Sequence, residues 1–238
     1  MFRMILMKNY FLITVKWGVI LLFILLINIS LSFGQEIITA GRYLEMVSET
    51  YGAIRDYEAN ITIRSGGVDM VGKVSHLSPS FMRIDCTRPA DQVIVFNGEM
   101  LTIYLPEYRA VLNQSINRSR TAPQLASAQG LTMLRRNYVP SFVTGPNPEP
   151  LDAGSRERVV KLRLTRSAAS EGFREIILSV NPDTRLIRRI EGRTLADADV
   201  RFDFTNTKIN TGIPEQRFIY DSPASANMYN NFLFRDSD

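Results

Sequence analysis

Hydrophobic and polar residues follow two different periods along this chain. Between residues 36 and 55 the apolar positions recur every three or four residues, and charged side chains lie between them. This spacing predicts one amphipathic helix, whose apolar stripe consists of Ile37, Ala40, Leu44, Val47, Tyr51 and Ile54. The stripe is expected to be buried against another part of the protein, because an apolar helix face is stable only when it is covered.

After residue 56 the period changes from 3.6 to 2 and stays there for most of the chain. In residues 61–63, 82–86, 160–164 and 200–204, apolar side chains alternate with polar ones. This alternation is typical of antiparallel strands with one apolar face and one solvated face. Turn residues separate the strands, at Gly66-Gly67, Asn97-Gly98 and Asn181-Pro182-Asp183-Thr184.

The strand pattern is interrupted once. Residues 121–138 show helical spacing and predict one or two short helices, and the Pro/Gly-rich stretch 140–150 predicts a loop back to the strands. The order of elements is therefore a helix, about five strands, short helices and about five more strands. This order predicts a mainly β protein with helices (α+β), in which residues 35–238 form one domain with a curved antiparallel sheet and helices on one face.

The first 34 residues have a different composition. Arg3, Lys8 and Lys16 precede an uncharged run from residue 17 to residue 34, and no acidic residue is present. Ser32 and Gly34 provide small residues for cleavage before Gln35, so residues 1–34 are predicted to be a signal peptide. The alternative is a retained membrane anchor, because the run is close to the ~18 to 20 residues that span a bilayer. Both interpretations predict export.

Charge adds little once the signal peptide is set aside. The 238-residue chain has 28 Lys and Arg against 24 Asp and Glu, a net charge of +4. Removing residues 1–34 removes three basic and no acidic residues, which leaves 25 minus 24, or +1. Nucleic acid is therefore not an expected partner. The basic stretch 185–193 is interpreted as a solvated hairpin, with contact to lipid phosphates or an acidic partner as the alternative.

The residue inventory excludes several chemistries. The chain has one His (His76) and one Cys (Cys86), too few for a zinc site and for an internal disulfide. No glycine-rich loop opens a helix, so nothing indicates a nucleotide cofactor. We expect no enzyme activity, no metal and no cofactor. A hydrolase with a pair of carboxylates is the enzymatic alternative that this inventory leaves.

An apolar concavity is the remaining candidate site. We predict that its wall is the inner face of the curved sheet, formed by Met70, Val74, Met82, Ile84, Val93, Val95, Ile103, Leu162, Leu164, Ile176 and Leu178. Such a face is either a filled core or a ligand cavity, and alternation alone does not distinguish the two.

A succession of short motifs resembles one family. The motifs are Gly72-Lys73-Val74, Ser78-Pro79-Ser80-Phe81-Met82-Arg83-Ile84-Asp85, Arg88-Pro89, Gln92-Val93-Ile94-Val95, Asn97-Gly98 and Tyr104-Leu105-Pro106. Their order and spacing are similar to those of the LolA-type periplasmic lipoprotein carriers. The resemblance runs from the first helix to Phe218-Ile219-Tyr220-Asp221-Ser222-Pro223, and so covers nearly all of the chain after the signal peptide.

The resemblance implies a fold and a function. It implies an incompletely closed, strongly curved antiparallel barrel of about 10–11 strands, with Leu44, Val47 and Tyr51 on a helical lid. It implies a monomer in the periplasm that shelters lipoprotein acyl chains, receives them from an inner-membrane ABC transporter and delivers them to an outer-membrane acceptor. A lipid- or lipoprotein-sensing regulatory module of the RseB type, which shares the fold, is the alternative.

The chain also departs from the family pattern. Ser78 occupies the position before Pro79 where the family has an Arg that ties the lid to the barrel. Met82 and Ile84 replace a Phe and a Trp of the family, whereas Arg83 keeps its family identity and is a candidate polar contact. The sequence therefore does not specify the family's lid latch.

Overall fold

The computed structural model describes residues 38–116, 126–167 and 172–232, and within these ranges it contains two α-helices and thirteen β-strands. The predicted signal peptide, residues 1–34, lies outside the described residues, as does Ile37 of the predicted stripe. All of the described residues belong to one compact unit, Ile38–Asp238.

Both helices begin at a residue whose side chain caps the first turn. Helix α1 spans Ala40–Gly52, and the Thr39 hydroxyl oxygen accepts a hydrogen bond from the Arg42 backbone N–H at 3.2 Å. Helix α2 spans Ala128–Asn137, and Ser127 caps it in the same way. The predicted amphipathic helix is thus confirmed, and α2 lies within the stretch for which short helices were predicted.

The strands follow the predicted alternation. They are β1 Asp56–Ser65, β2 Val68–Leu77, β3 Phe81–Arg88, β4 Val93–Asn97, β5 Met100–Leu105, β6 Ala110–Ser115, β7 Tyr138–Phe142, β8 Glu149–Pro150, β9 Arg158–Arg166, β10 Phe173–Val180, β11 Ile187–Thr194, β12 Asp199–Ile209 and β13 Asn227–Asn230. Gly66, Gly67 and Gly98 have positive φ in the turns where the sequence placed hairpins. The Asn181 side chain accepts hydrogen bonds from the Asp183 and Thr184 N–H groups in the third turn.

One curved sheet contains these strands, in the order β13-β6-β5-β4-β3-β2-β1-β12-β11-β10-β9-β7, and β8 pairs with β9. All pairs are antiparallel except β13 with β6, which is parallel. In the described part of the chain, β7 and β13 are the two ends of the order and do not pair with each other. The prediction of an incompletely closed antiparallel barrel with helices on one face is confirmed.

The strand number is larger than the predicted 10–11. Strands β7 and β8 lie in the stretch 138–150, most of which was predicted to be a loop because of its Pro and Gly residues. Pro140 is compatible with β7 because β7 is at the edge of the sheet, where a residue without an N–H leaves no ladder hydrogen bond unmade. The third extra strand, β13, is four residues long and shows no clear alternation.

The apolar core lies between the helices and the face of the sheet that they cover, here called the inner face. Its buried members come from α1, α2 and most strands, and include Leu44, Val47, Ile61, Val74, Ile84, Leu131, Leu134, Leu162, Leu164, Ile176, Leu178, Ile190 and Phe204. The opposite face, here called the outer face, is mostly polar, as the alternation predicted.

Candidate binding face

The inner face has two halves that differ in how they are covered. In the first, Leu44 and Val47 of α1 pack in one cluster with Leu162, Leu164 and Leu178 of β9 and β10, and all five side chains are fully buried. We call this the helix-covered half. It consists of the inner face of β1 and β9–β12 with the two helices above it.

The second half is partly exposed. Register places Ile94 of β4, Ile103 of β5, Leu112 of β6 and Tyr229 of β13 side by side in one row across the sheet. Ile94, Ile103 and Leu112 are half-buried, and Tyr229 is 52% exposed. We call this row, with its neighbour Met82 on β3, the open half. It is a contiguous apolar surface that meets both the core and solvent.

Most of the predicted wall residues lie on the inner face. Val74, Ile84, Leu162, Leu164, Ile176 and Leu178 are buried members of the core cluster, Met70 and Met82 are partly buried against it, and Ile103 is half-buried in the open half. The predicted lid residues Leu44, Val47 and Tyr51 are also buried members of this cluster.

Two predicted wall residues, Val93 and Val95, are on the outer face. They pair with Asp85 and Arg83, whereas their neighbour Ile94 pairs with Ile84 on the inner face. The predicted inward orientation of Val93 and Val95 is therefore wrong. Residues 93–96 are apolar without a break, so alternation does not specify which side chains point inward.

The hairpin of β4 and β5 indicates which residues of β4 point inward. When a hairpin loop has an even number of residues, the numbers of two paired residues add up to an odd value. The turn at Asn97-Gly98 predicts a loop of two or four residues, and Ile94 indeed pairs with Ile103. Ile103 therefore shares its face with Ile94 and not with Val93 or Val95. Sequence reasoning missed Ile94 and Leu112, and this rule would have identified Ile94.

Arg83 also lies on the outer face, where it binds the C-terminal strap, the segment 214–226 that crosses β3, β4 and β5. Its guanidinium donates a hydrogen bond to the Arg217 carbonyl at 3.1 Å and lies 5.8 Å from the centre of the Tyr220 ring. Arg217 in turn forms an ion pair with Asp85. Arg83 thus fixes the strap, and its contacts are with the protein itself.

Phe218 is the apolar anchor of the strap. Its side chain is 1% exposed and its ring lies 5.5 Å from that of Phe81. The strap explains why Val95, on the outer face, is only 2% exposed. Strand β4 thus has apolar contacts on both faces, with Val95 under the strap on the outer face and Ile94 half-buried on the inner face, which fits its unbroken apolar sequence.

Aromatic residues join the lid to the sheet. The Tyr51 hydroxyl oxygen accepts a hydrogen bond from the Ile187 backbone N–H at 3.1 Å, and burial raises the pKa of Tyr51 to about 12. The Tyr57 hydroxyl donates to the Ala126 carbonyl at 3.1 Å, and the Tyr57 ring stacks on His76 at 5.0 Å. Burial also raises the pKa of Tyr57. His76 is a buried residue of this stack.

Ser78, at the position of the family's latch residue, is exposed and makes a backbone contact. Its N–H donates to the Arg55 carbonyl at 2.7 Å. On α1 the corresponding task of fastening the helix to the sheet is performed by Tyr51. The ion pair of Glu45 with Arg135, at 2.8 Å, fastens α1 to α2.

The described residues show few groups for chemistry. Within residues 38–116, 126–167 and 172–232, no three His, Cys, Asp or Glu side chains converge as metal ligands. Cys86 is buried, and burial raises the pKa of its thiol. In the same ranges none of the helices has the length and apolar character needed to cross a bilayer. What the inner face offers is apolar contact.

Solved structures with a similar fold come from several bacteria. An uncharacterised conserved protein from Thermus thermophilus aligns with a TM-score of 0.51 and 14% identity, over 80% of this chain and 98% of that one. A LolA superfamily protein from Nitrosomonas europaea aligns with a TM-score of 0.38 and 15% identity, over 77% of this chain and 98% of that one. A chain in the complex of MucA and MucB from Pseudomonas aeruginosa aligns with a TM-score of 0.47 and 18% identity, over 79% of this chain and 62% of that one.

The sequence itself places the chain in a family. None of the curated proteins matches it. The family model of the outer membrane lipoprotein carrier protein LolA matches residues 67–221, from the turn before β2 to a point within the strap. The match covers more than half of the chain and includes Met82, Ile94, Ile103 and Leu112 of the open half, together with α2 and strands β9–β12 of the helix-covered half. This chain therefore belongs to the LolA family.

Proposed function

We propose that this protein is a periplasmic carrier that holds the acyl chains of lipoproteins against its inner face and moves them from the inner towards the outer membrane. Residues 1–34 would serve as its export signal. The observation that carries the proposal is the contiguous apolar surface of the open half in a chain of the LolA family. No cofactor or catalytic step is needed.

Burial of an acyl chain in the carrier can match its burial in a membrane. Each buried CH₂ group contributes about 0.8 kcal/mol, so sheltering a dozen methylenes contributes on the order of 10 kcal/mol. A membrane provides a similar amount, and transfer between membrane and carrier is therefore close to balanced. Small differences in how the donor and the acceptor interact with the carrier are then enough to give the transfer a direction.

The lid provides the means of opening the site. In the helix-covered half, α1 fills the space that a longer acyl chain would occupy, since Leu44 and Val47 are fully buried there. We propose that an acyl chain first contacts Ile94, Ile103 and Leu112 and then displaces α1. When the acyl chain leaves, α1 returns to its position on the inner face, so that the apolar face is not exposed to water.

A matched pair of variants tests the proposal. Ile103→Asp places a carboxylate on the open half, whereas Thr102→Asp places one on the adjacent, outward-facing position of the same strand. Native mass spectrometry of protein purified from the periplasm would report bound lipoprotein or lipid. We expect at least a tenfold loss of bound ligand for Ile103→Asp and little change for Thr102→Asp. Equal retention in both variants would contradict the inner face as the site.

A release assay separates the carrier from a regulatory module of the RseB type. A carrier releases its bound lipoprotein to acceptor membranes, and the released fraction is measured by sedimentation of outer-membrane vesicles. A sensing module retains the ligand, and binding instead changes its affinity for a protein partner. Retained ligand after incubation with vesicles would favour the sensing role.

A further inference from the structure

A polar cleft of about 550 Å³ lies on the outer face, away from the apolar site. Its walls are the neighbouring strands β1, β2 and β12, and it is lined by Glu58, Ala59, Asn60, Lys73, Asn206, Thr207 and Lys208. Nothing in the proposed carrier function uses these residues, because the inner face holds the acyl chain.

A β-bulge creates this cleft. Glu58 pairs with Lys208 and Asn60 with Thr205, so the single residue Ala59 of β1 faces two residues of β12. One of these two, Asn206, has a φ of 54°, a conformation that asparagine tolerates better than most residues. The extra residue bends β12 and separates it locally from β1. Bulges of this kind often reorient side chains at binding sites.

The two lysines in the cleft are unusual for this chain. The sequence has five lysines, and only Lys73, Lys161 and Lys208 follow residue 34. Among the described residues, most ion pairs of the outer face involve arginine, and neither Lys73 nor Lys208 forms one.

One carboxylate, that of Glu58, also lines the cleft. Glu58 lies opposite Lys208, and its side chain accepts a hydrogen bond from the Ser75 hydroxyl at 3.2 Å. No ion pair within 4.0 Å joins Glu58 to either lysine in the described part of the chain. The cleft is thus lined by two ammonium groups and one carboxylate, a net charge of 2 minus 1, or +1, together with amide and hydroxyl groups.

We infer that this cleft binds a phosphate group. Two ammonium groups provide positive charge and hydrogen-bond donors for a phosphate anion, and Asn60, Asn206 and Thr207 add further donors for its oxygens. The phosphate is carried either by a phospholipid headgroup at a membrane surface or by a free phosphate compound. The site is separate from the apolar face, so this inference does not depend on the carrier function.

Two probes distinguish the sources of the phosphate. The first is inorganic phosphate, followed by the amide chemical shifts of residues 58–60 and 206–208 in the full chain at constant ionic strength. The second is co-sedimentation with vesicles that contain phosphatidylglycerol and phosphatidylcholine, with and without added inorganic phosphate. Binding to both probes, with competition between them, indicates a site that accepts either source. Binding to one probe alone assigns the source.

Single lysine variants test the site itself. Lys73→Gln and Lys208→Gln each remove one cleft charge, and Lys161→Gln removes the same charge elsewhere on the outer face. We expect about tenfold weaker binding for each cleft variant, as the loss of one charge-assisted hydrogen bond implies, and an unchanged affinity for Lys161→Gln. An equal loss in all three variants would show nonspecific attraction and overturn the inference. So would the absence of binding to either probe by the unmodified protein.

Discussion

The two halves of the inner face both present apolar strand residues but have different surroundings. Leu164 of β9 is fully buried under the helices, whereas Ile103 of β5 is half-buried and meets solvent. In the helix-covered half the protein provides both partners of each apolar contact. In the open half the apolar side chains of the described residues are only half-buried, so part of their apolar area remains exposed.

The difference shows how one sheet can stabilise the fold with one half and, under the proposed function, bind a ligand with the other. Burial of apolar area in the helix-covered half stabilises the fold, and the open half contributes less because its side chains are already partly hydrated. The strap compensates by adding a second apolar layer behind the open half, where Phe218 packs on Phe81. The open half is thus supported from its outer side and stays accessible on its inner side.

The largest expected effect comes from placing the same charge in both halves. Leu164→Asp buries a carboxylate in the core and should lower the free energy of unfolding by more than about 4 kcal/mol. Ile103→Asp, where solvent reaches the side chain, should cost less than about 2 kcal/mol. Urea denaturation of both variants measures the difference. Similar losses would mean that the two halves are equally buried and would break the comparison.

The second effect concerns the support behind the open half. Phe218→Ala removes a fully buried ring and should destabilise the strap by about 3 to 5 kcal/mol. Hydrogen exchange should show faster exchange in residues 214–230 while α1 stays protected. Ile219→Ala, at a neighbouring side chain that is 70% exposed, is the matched control and should change little. Equal loss of protection in α1 would show that both halves unfold as one unit.

The third effect concerns the contact that fastens the lid. Tyr51→Phe removes the acceptor of the Ile187 N–H and leaves a buried donor unpaired, which costs about 1 to 3 kcal/mol. We expect faster hydrogen exchange in α1 and, if the lid gates binding, faster uptake of a fluorescent fatty acid. Tyr108→Phe, at an exposed tyrosine, provides the control. Unchanged exchange in α1 would assign the lid's position to apolar packing alone.

The smallest effect concerns the outer face behind the helix-covered half. Hydrogen bonds from Arg189 lower the pKa of the Asp152 carboxyl to about 2. Because the folded pKa is depressed, this contribution to stability is complete above the unfolded value of about 3.9 and is lost as the pH falls towards 2. The contribution is modest, since the Asp152 side chain is half-exposed and solvent screens it.

Replacing the carboxylate measures that contribution. In Asp152→Asn, the free energy of unfolding should decrease less steeply between about pH 4 and pH 2 than in the unmodified protein. Asp183→Asn, in the turn between β10 and β11, removes a carboxylate that forms no ion pair among the described residues and should leave the slope unchanged. Equal slopes for the unmodified protein and Asp152→Asn would contradict the role of the pair with Arg189.

The sequence was sufficient for those elements whose period is regular. The stripe of α1 and the alternation of β1, β3, β9 and β12 predicted helix, strands and inner-face residues, because each buried face repeats at a fixed spacing. The hairpin turns were predictable from Gly and Asn residues, whose backbone preferences are local.

Elements that depend on distant contacts were not predictable in the same way. The orientation of Val93 and Val95 depends on the register with β3 and on the strap, which lies more than a hundred residues further along the chain. β7 forms despite Pro140 because its position at the edge is a property of the whole sheet. The contacts of Arg83 with the strap depend on Arg217 and Tyr220, which are distant in sequence, so the sequence around Arg83 does not reveal them.

An open sheet also has two free edges, which are templates for unwanted strand pairing between molecules. Here the edge strands of the described sheet are β7, which has five residues and contains Pro140, and β13, which has only four residues. Short strands and proline at an edge are known protections against aggregation. The barrel can therefore remain unclosed, with an apolar face accessible. Its short edge strands give neighbouring molecules little on which to add further strands.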